Sequence, residues 1–283
     1  MQLRRFDVSI VWLACVVCCF TAAGMQAAVA APCNAGPQAA AAENARTLTS
    51  MPITAFHRPE TGWAVYETMI AHEIGTECPA NTPGFAAALA HWQGANHLGA
   101  SGTMDDSTFK ALKLAWDRRR PWAMISRHQC PDAADEHALV RAGPAESYDG
   151  KTILLRTDAL AAFRRMSDAA RRAGLIPPKS GLFVIFSGYR GVDADAARCA
   201  KENNCQSGAR ATCSAHRTGL ALDINLGAAP GFRLDSSADQ NRLFLSRTKL
   251  YRWMVKNAGR FGFVNYAFEP WHWEFTAASD GRK

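Results

Sequence analysis

Three short segments hold the residues able to do chemistry. They are Ser187-Gly188-Tyr189-Arg190, Ser214 through Ile224 (SAHRTGLALDI), and Glu269-Pro270-Trp271-His272-Trp273-Glu274. A hydrolytic zinc site needs three protein ligands and one open position for water. His216, Asp223 and His272 supply two imidazoles and a carboxylate, which meet that need. Zinc lowers the pKa of a bound water to about 7, so hydroxide forms near neutral pH. A carboxylate must then take the proton and pass it to the leaving amine. Glu269 and Glu274 are both placed for that task. Arg190 offers the cation that a developing oxyanion requires.

The neighbouring residues indicate the elements that hold these groups. Ala221 to Ile224 is a predicted strand in which Leu222 and Ile224 face one way and Ala221 and Asp223 the other. Gly219 allows a turn between His216 and that strand. In the final strand, Trp271 to Phe275, the residues Trp271, Trp273 and Phe275 share a core face, and His272 and Glu274 share the opposite one. Leu182 to Phe186 is an apolar run of strand length directly before Ser187. A helix is expected from a cap at Asp158, with Leu160, Phe163 and Ala170 inward, ending at Gly174 before Pro177-Pro178. A second spans Lys249 to Asn257. Helices and strands alternate without a regular βαβ repeat, so the expected class is α+β.

These segments resemble the VanY-like zinc D-alanyl-D-alanine carboxypeptidases. The pattern S-x-H-x-x-G-x-A-x-D is matched at every fixed position by Ser214 to Asp223. The later E-x-W-H is met by Glu269, Trp271 and His272, and S-G-Y-R by Ser187 to Arg190. The resemblance spans about residues 150 to 276, including Asn257 to Phe263. It implies a Hedgehog/DD-peptidase-type zinc domain over residues 151–283. In it His216, Asp223 and His272 bind Zn2+, and Glu269 is the catalytic base. Arg190 would hold a substrate carbonyl or carboxylate, and Ser214, with Ser187 beside it, would help orient substrate. After Arg190 the chain departs from the family's serine and glutamine. Gly191 to Asp195 stand there, followed by a cysteine-bearing insertion through Cys213 that bears on which bond is cut.

Upstream, residues 79–122 predict a small all-helical module. Phe85, Leu89 and Trp92 have helical spacing. A turn carries Gly99, Ser101 and Gly102, Asp105 or Asp106 caps the next helix, and Phe109, Leu112 and Trp116 share one face. The layout resembles the helical peptidoglycan-binding module. Residues 31–78 read as a lead-in, mobile to about residue 50 and then partly helical. Residues 123–150, with Pro131, Gly143, Pro144 and Gly150, read as a linker. Arg118-Arg119-Arg120 reads as a solvated helix end.

The chain has 283 residues, 48% hydrophobic and 20% charged, with net charge +7. That balance is globular, and the basic excess suits an anionic surface such as cell wall. Scattered Lys and Arg give no case for nucleic acid. Residues 1–30 have the charged start, apolar run and small-residue end of a signal peptide, so the protein is expected to be secreted or periplasmic, with no membrane span after its removal. Cys33, Cys78, Cys130, Cys199, Cys205 and Cys213 then remain, an even set that points to disulfides, with fifteen pairings open. The expected activity is removal of the terminal D-alanine from peptidoglycan stem peptides. Its rivals are an endopeptidase with the same site and a non-catalytic wall-binding protein with a structural zinc.

Overall fold

The structure, a computed structural model, describes residues 32–54, 56, 58–121, 132–202 and 214–276. The expected leader, Cys130, Cys205 and Cys213 lie outside them. Helix α1 (Gln38–Thr47) comes first, then the paired strands β1 (Pro52–Ile53) and β2 (Glu60–Thr61), helix α2 (Glu67–Glu73), and the pair α3 (Pro83–Ala95) and α4 (Asp106–Arg119). The segment expected to be mobile up to residue 50 therefore contains a helix. Its alanines explain this: Ala40 and Ala41 pack against Ala86 of α3, and such small side chains let two helices approach closely. Asn44 secures the contact, donating to the Gly102 carbonyl and accepting from the Met104 N–H, each at 2.8 Å.

Helix α3 carries Phe85, Leu89 and Trp92 inward, as their spacing predicts. Thr82 accepts from the Phe85 N–H and Pro83 occupies the first turn, where its missing donor costs nothing. Asp105 caps α4 through the Thr108 N–H at 2.7 Å. Trp63, Tyr66, Phe85, Leu89, Phe109, Leu112 and Trp116 close one hydrophobic core between them. Cys33 and Cys78 are joined, and Cys199 is also disulfide-bonded.

The second half begins inside the expected linker. Strand β3 (Leu139–Arg141) pairs antiparallel with β4 (Leu154–Arg156). Three residues are too few for their periodicity to mark them in the sequence. Helix α5 (Thr157–Arg172) follows and buries Leu160, Phe163, Met166 and Ala170. Asp158 lies in its first turn rather than at the cap, which is Arg156.

Strand β5 (Ile185–Ser187) starts three residues later than the apolar run predicts. Phe183 has φ +60° and its ring stacks on Phe163 at 5.8 Å. Tertiary packing therefore overrides the β preference of the run. Helix α6 (Val192–Glu202), strand β6 (Ala221–Ile224), helices α7 (Asp239–Ser246) and α8 (Lys249–Asn257), and strands β7 (Phe263–Asn265) and β8 (His272–Phe275) complete the chain. The main sheet is antiparallel, in the order β5-β6-β8-β7. Leu222, Ile224, Trp271, Trp273 and Phe275 enter one core with α5 and α8, as the alternation predicts. The class is α+β.

The two halves belong to one compact unit, Ala31–Lys283. Ala267 and Phe268, from the loop before β8, pack into the N-terminal core. Fully buried Arg242 of α7 reaches Glu60 at 2.9 Å and the Tyr66 hydroxyl at 2.5 Å.

The Cys33–Cys78 link closes a separation of 45 residues, a loop whose closure entropy corresponds to about 4 kcal/mol. Replacing both cysteines by serine is expected to lower stability by that order and to lower Tm in a thermal melt. An unchanged Tm would show that the crosslink constrains little.

Candidate metal centre

Strand register assembles the site. Asp223 of β6 lies opposite His272 of β8 and, on its other side, opposite Ser187 of β5. Three functional positions thus form a row across three strands. His216 joins from a short 3-10 turn, Ala215–Thr218, which Gly219 ends in the left-handed region at φ +68°. A Cβ on Gly219 would meet the Leu139 side chain at 2.8 Å, so both the turn and the packing call for glycine. One ligand atom from each of His216, Asp223 and His272 lies within 4.8 Å of the others, and all three residues are buried.

Each imidazole is oriented from its far side. His216 donates from Nδ1 to the Gly188 carbonyl at 2.7 Å, which leaves the Nε2 lone pair facing Asp223 Oδ2 at 3.3 Å. The Gly188 backbone can reach this place because it lacks a Cβ, which would come within 2.5 Å of the Leu154 carbonyl oxygen. His272 faces Asp223 Oδ1 through Nδ1 at 2.9 Å and Glu274 Oε1 through Nε2 at 3.2 Å. Carboxylates or carbonyls behind a ligating histidine fix its tautomer and raise its basicity. Two imidazole nitrogens, each ring engaged through its other nitrogen, and a carboxylate between them fit a divalent ion of zinc's preferences.

Glu274 is fully buried, and Arg120 donates to its Oε1 from Nε at 3.1 Å and also from Nη2. Arg120 is therefore not part of a solvated helix end. The sequence gives no sign of its partner, which lies 154 positions away. Arg119 keeps to the surface, paired with Glu73.

Arg190 stands beside the triad, with Nη1 4.0 Å from Asp223 Oδ2. It donates to Ser187 Oγ at 2.7 Å and Ser214 Oγ at 2.8 Å. Asp195, buried in α6, approaches Arg190 Nε and Arg217 Nη2, each at 3.4 Å. Asp195 occurs where the chain departs from the family pattern, and the sequence offered no role for it. Glu269 sits in the turn before β8, its carbonyl accepting from the His272 N–H at 2.9 Å. Asn265 donates to the Glu269 and His272 carbonyls at 3.2 and 2.8 Å. Arg242 Nε holds the Phe268 carbonyl at 2.8 Å. The loop carrying Glu269 is thereby held along its length.

Burial and charge act against each other in the cluster. Burial works to raise the Asp223 pKa, but the two imidazoles outweigh it and hold the carboxyl well below the usual range. Burial also lowers His216, which is neutral near pH 7 despite the pull of Asp223. At His272 burial opposes the charge, yet hydrogen bonds to Asp223 and Glu274 raise the group to about 9. Glu274, where burial opposes ionisation and Arg120 outweighs it, falls to about 2.

A metal must displace the His272 Nδ1 proton, so proton competition weakens binding below about pH 9. Zinc affinity, measured by chelator competition, is expected to rise roughly tenfold per pH unit up to that point and then level off. A flat profile would show that His272 carries no proton to lose.

Residues 152–278 match the VanY family model, described as D-alanyl-D-alanine carboxypeptidase. No curated protein matches the chain significantly. Among similar solved structures, the LdcB LD-carboxypeptidase is 22% identical with TM-score 0.34, over 52% of this chain and 67% of that one. A variant of the vancomycin-resistance D,D-pentapeptidase VanY with Zn(II) is 20% identical with TM-score 0.30, over 52% and 86%. VanYB in complex with D-alanine-D-alanine is 22% identical with TM-score 0.29, over 49% and 76%. The sheet that brings His216, Asp223 and His272 together thus lies within the segment that matches the VanY family model, and its three side chains form a triad able to coordinate a metal ion.

Proposed function

We propose that this protein removes the terminal D-alanine from peptidoglycan stem peptides, using a zinc ion held by His216 Nε2, His272 Nδ1 and Asp223. The convergence of those three ligand atoms beside the Arg190 guanidinium carries the reading. When bound, zinc supplies a polarised water acidic enough to act near neutral pH.

Glu269 serves as general base and then as acid toward the leaving amine. Glu274 is unsuited to that role, because it lies behind the ring nitrogen that faces away from Asp223 and is committed to Arg120. Arg190, steadied by Ser187, Ser214 and Asp195, offers a guanidinium to a substrate carbonyl or carboxylate. A cation fixed before substrate arrives stabilises developing charge without reorganising at the moment of reaction.

The disulfides support an exported protein, since such bonds persist in oxidising compartments. Among the described residues no helix is long and apolar enough to cross a membrane. The helical module over residues 79–122 would hold cell wall.

Incubating the purified protein with a pentapeptide ending in D-Ala-D-Ala is expected to release free D-alanine, and chelation should stop the release. Glu269→Ala is expected to cut turnover about 100-fold or more while zinc stays bound. Turnover by that variant at the wild-type rate would remove Glu269 from the mechanism. Shortened or uncrosslinked stems without free D-alanine would mark an endopeptidase instead.

A further inference from the structure

We propose that Arg120, which lies outside the family-matched segment, is a positioning residue of the metal centre. The inference rests on His216, Asp223 and His272 being metal ligands.

Arg120 directly follows α4, so the N-terminal helical half contributes it. Its side chain is 7% exposed. The guanidinium lies over the Tyr266 ring at 4.1 Å and donates twice to Glu274 Oε1. That same oxygen receives His272 Nε2 at 3.2 Å. Tyr266 in turn meets the His272 ring edge-to-face at 6.1 Å. Arg120 thus bears on His272 by two routes, one through a carboxylate and one through an aromatic ring.

Both routes fix the rotation of the imidazole, and that rotation decides whether Nδ1 points at Asp223 Oδ1, where it lies at 2.9 Å. Without Arg120, Glu274 is a fully buried carboxylate facing one imidazole and no other cation at hydrogen-bond distance. It no longer has a fixed place from which to hold that ring. Partners behind a ligating histidine commonly change metal affinity by about 10- to 100-fold. The docking of α4 therefore sets the affinity of a site whose ligands all lie in the other half of the chain.

The test uses the full chain and compares wild type with Arg120→Met, Arg120→Lys and the double variant Arg120→Met/Glu274→Gln. Zinc Kd is read by chelator competition, the visible spectrum is read with cobalt in zinc's place, and circular dichroism verifies folding. Arg120→Met is expected to weaken zinc binding at least about 10-fold and to alter the cobalt spectrum. Arg120→Lys should fall between it and wild type. The double variant should recover most of the affinity, because the amide oxygen of the introduced glutamine accepts the His272 N–H without needing a countercharge. If Arg120→Met does not fold, the double variant and Arg120→Lys carry the comparison. A folded Arg120→Met with wild-type zinc Kd and cobalt spectrum would overturn the proposal and leave Arg120 a purely structural residue; where that variant does not fold, an Arg120→Lys that binds zinc as wild type does, beside a double variant that does not recover affinity, would overturn it instead. A wild-type protein that binds no zinc would instead sink the metal-site reading itself.

Discussion

The site depends on the pairing of β6 with β8 in one register. Asp223 stands opposite His272, Leu222 opposite Trp273 and Ala221 opposite Glu274. Side chains alternate along a strand, so a slip of one residue would send Asp223 into the core and Leu222 into the site. The core prevents that slip. Leu222, Ile224, Trp271, Trp273 and Phe275 are all buried on one side of the sheet. Burying a large apolar side chain is worth roughly 1.5–3 kcal/mol, so reversing two strands would forfeit several such terms at once. The three candidate metal ligands are thus placed by residues that do no chemistry. The small Ala221 across from Glu274 leaves room for the carboxylate behind His272.

Placing charges in that row carries a cost that only pairing can offset. An isolated buried carboxylate is strongly disfavoured. Asp223 is compensated by the His272 imidazole and by Arg190, Glu274 by Arg120 and His272, and Asp195 by Arg190 and Arg217. Shared partners make these contacts a connected set, in which loss of one group leaves a neighbour uncompensated. Such sets contribute little net stability but fix geometry closely. A metal site gains from the second property, since it needs its donors aimed before the ion arrives.

The residues at the centre were legible in the sequence because short-range patterns encode them. The alternation in β6 and β8 placed Asp223 and His272 on the face away from the core, and Gly219 marked the turn. Geometry alone left Glu269 and Glu274 equivalent as candidate bases; the Arg120–Glu274 pair commits the second to a buried partner. That pair was illegible for a physical reason. It joins residues 154 positions apart, and an arginine in a run of three carries no local mark of burial. Helix α1 was missed because its alanines are weak hydrophobic signals whose value lies in close packing, which becomes visible only once α3 is in place. Strand β3 and the left-handed Phe183 were decided by pairing and ring stacking with distant elements.

The loop from Tyr266 to Trp271 shows what the N-terminal half contributes to the chemistry. Its backbone cannot be held by a sheet, because it must leave β7 and turn to enter β8. Asn265 secures its two ends from within the domain. Its middle is secured from outside: Phe268 is buried in the N-terminal core, and its carbonyl is bound by Arg242, itself held by Glu60 and Tyr66. Asn265, in turn, is met by the Tyr251 hydroxyl from α8. A general base must sit within hydrogen-bond reach of the proton it takes, and misplacement by about an ångström can cost two orders of magnitude in rate. Glu269 follows Phe268 directly, so Glu60 and Tyr66, acting through Arg242, bear on where the proposed base sits, alongside Asn265. The N-terminal half is in that sense part of the framework of the candidate site.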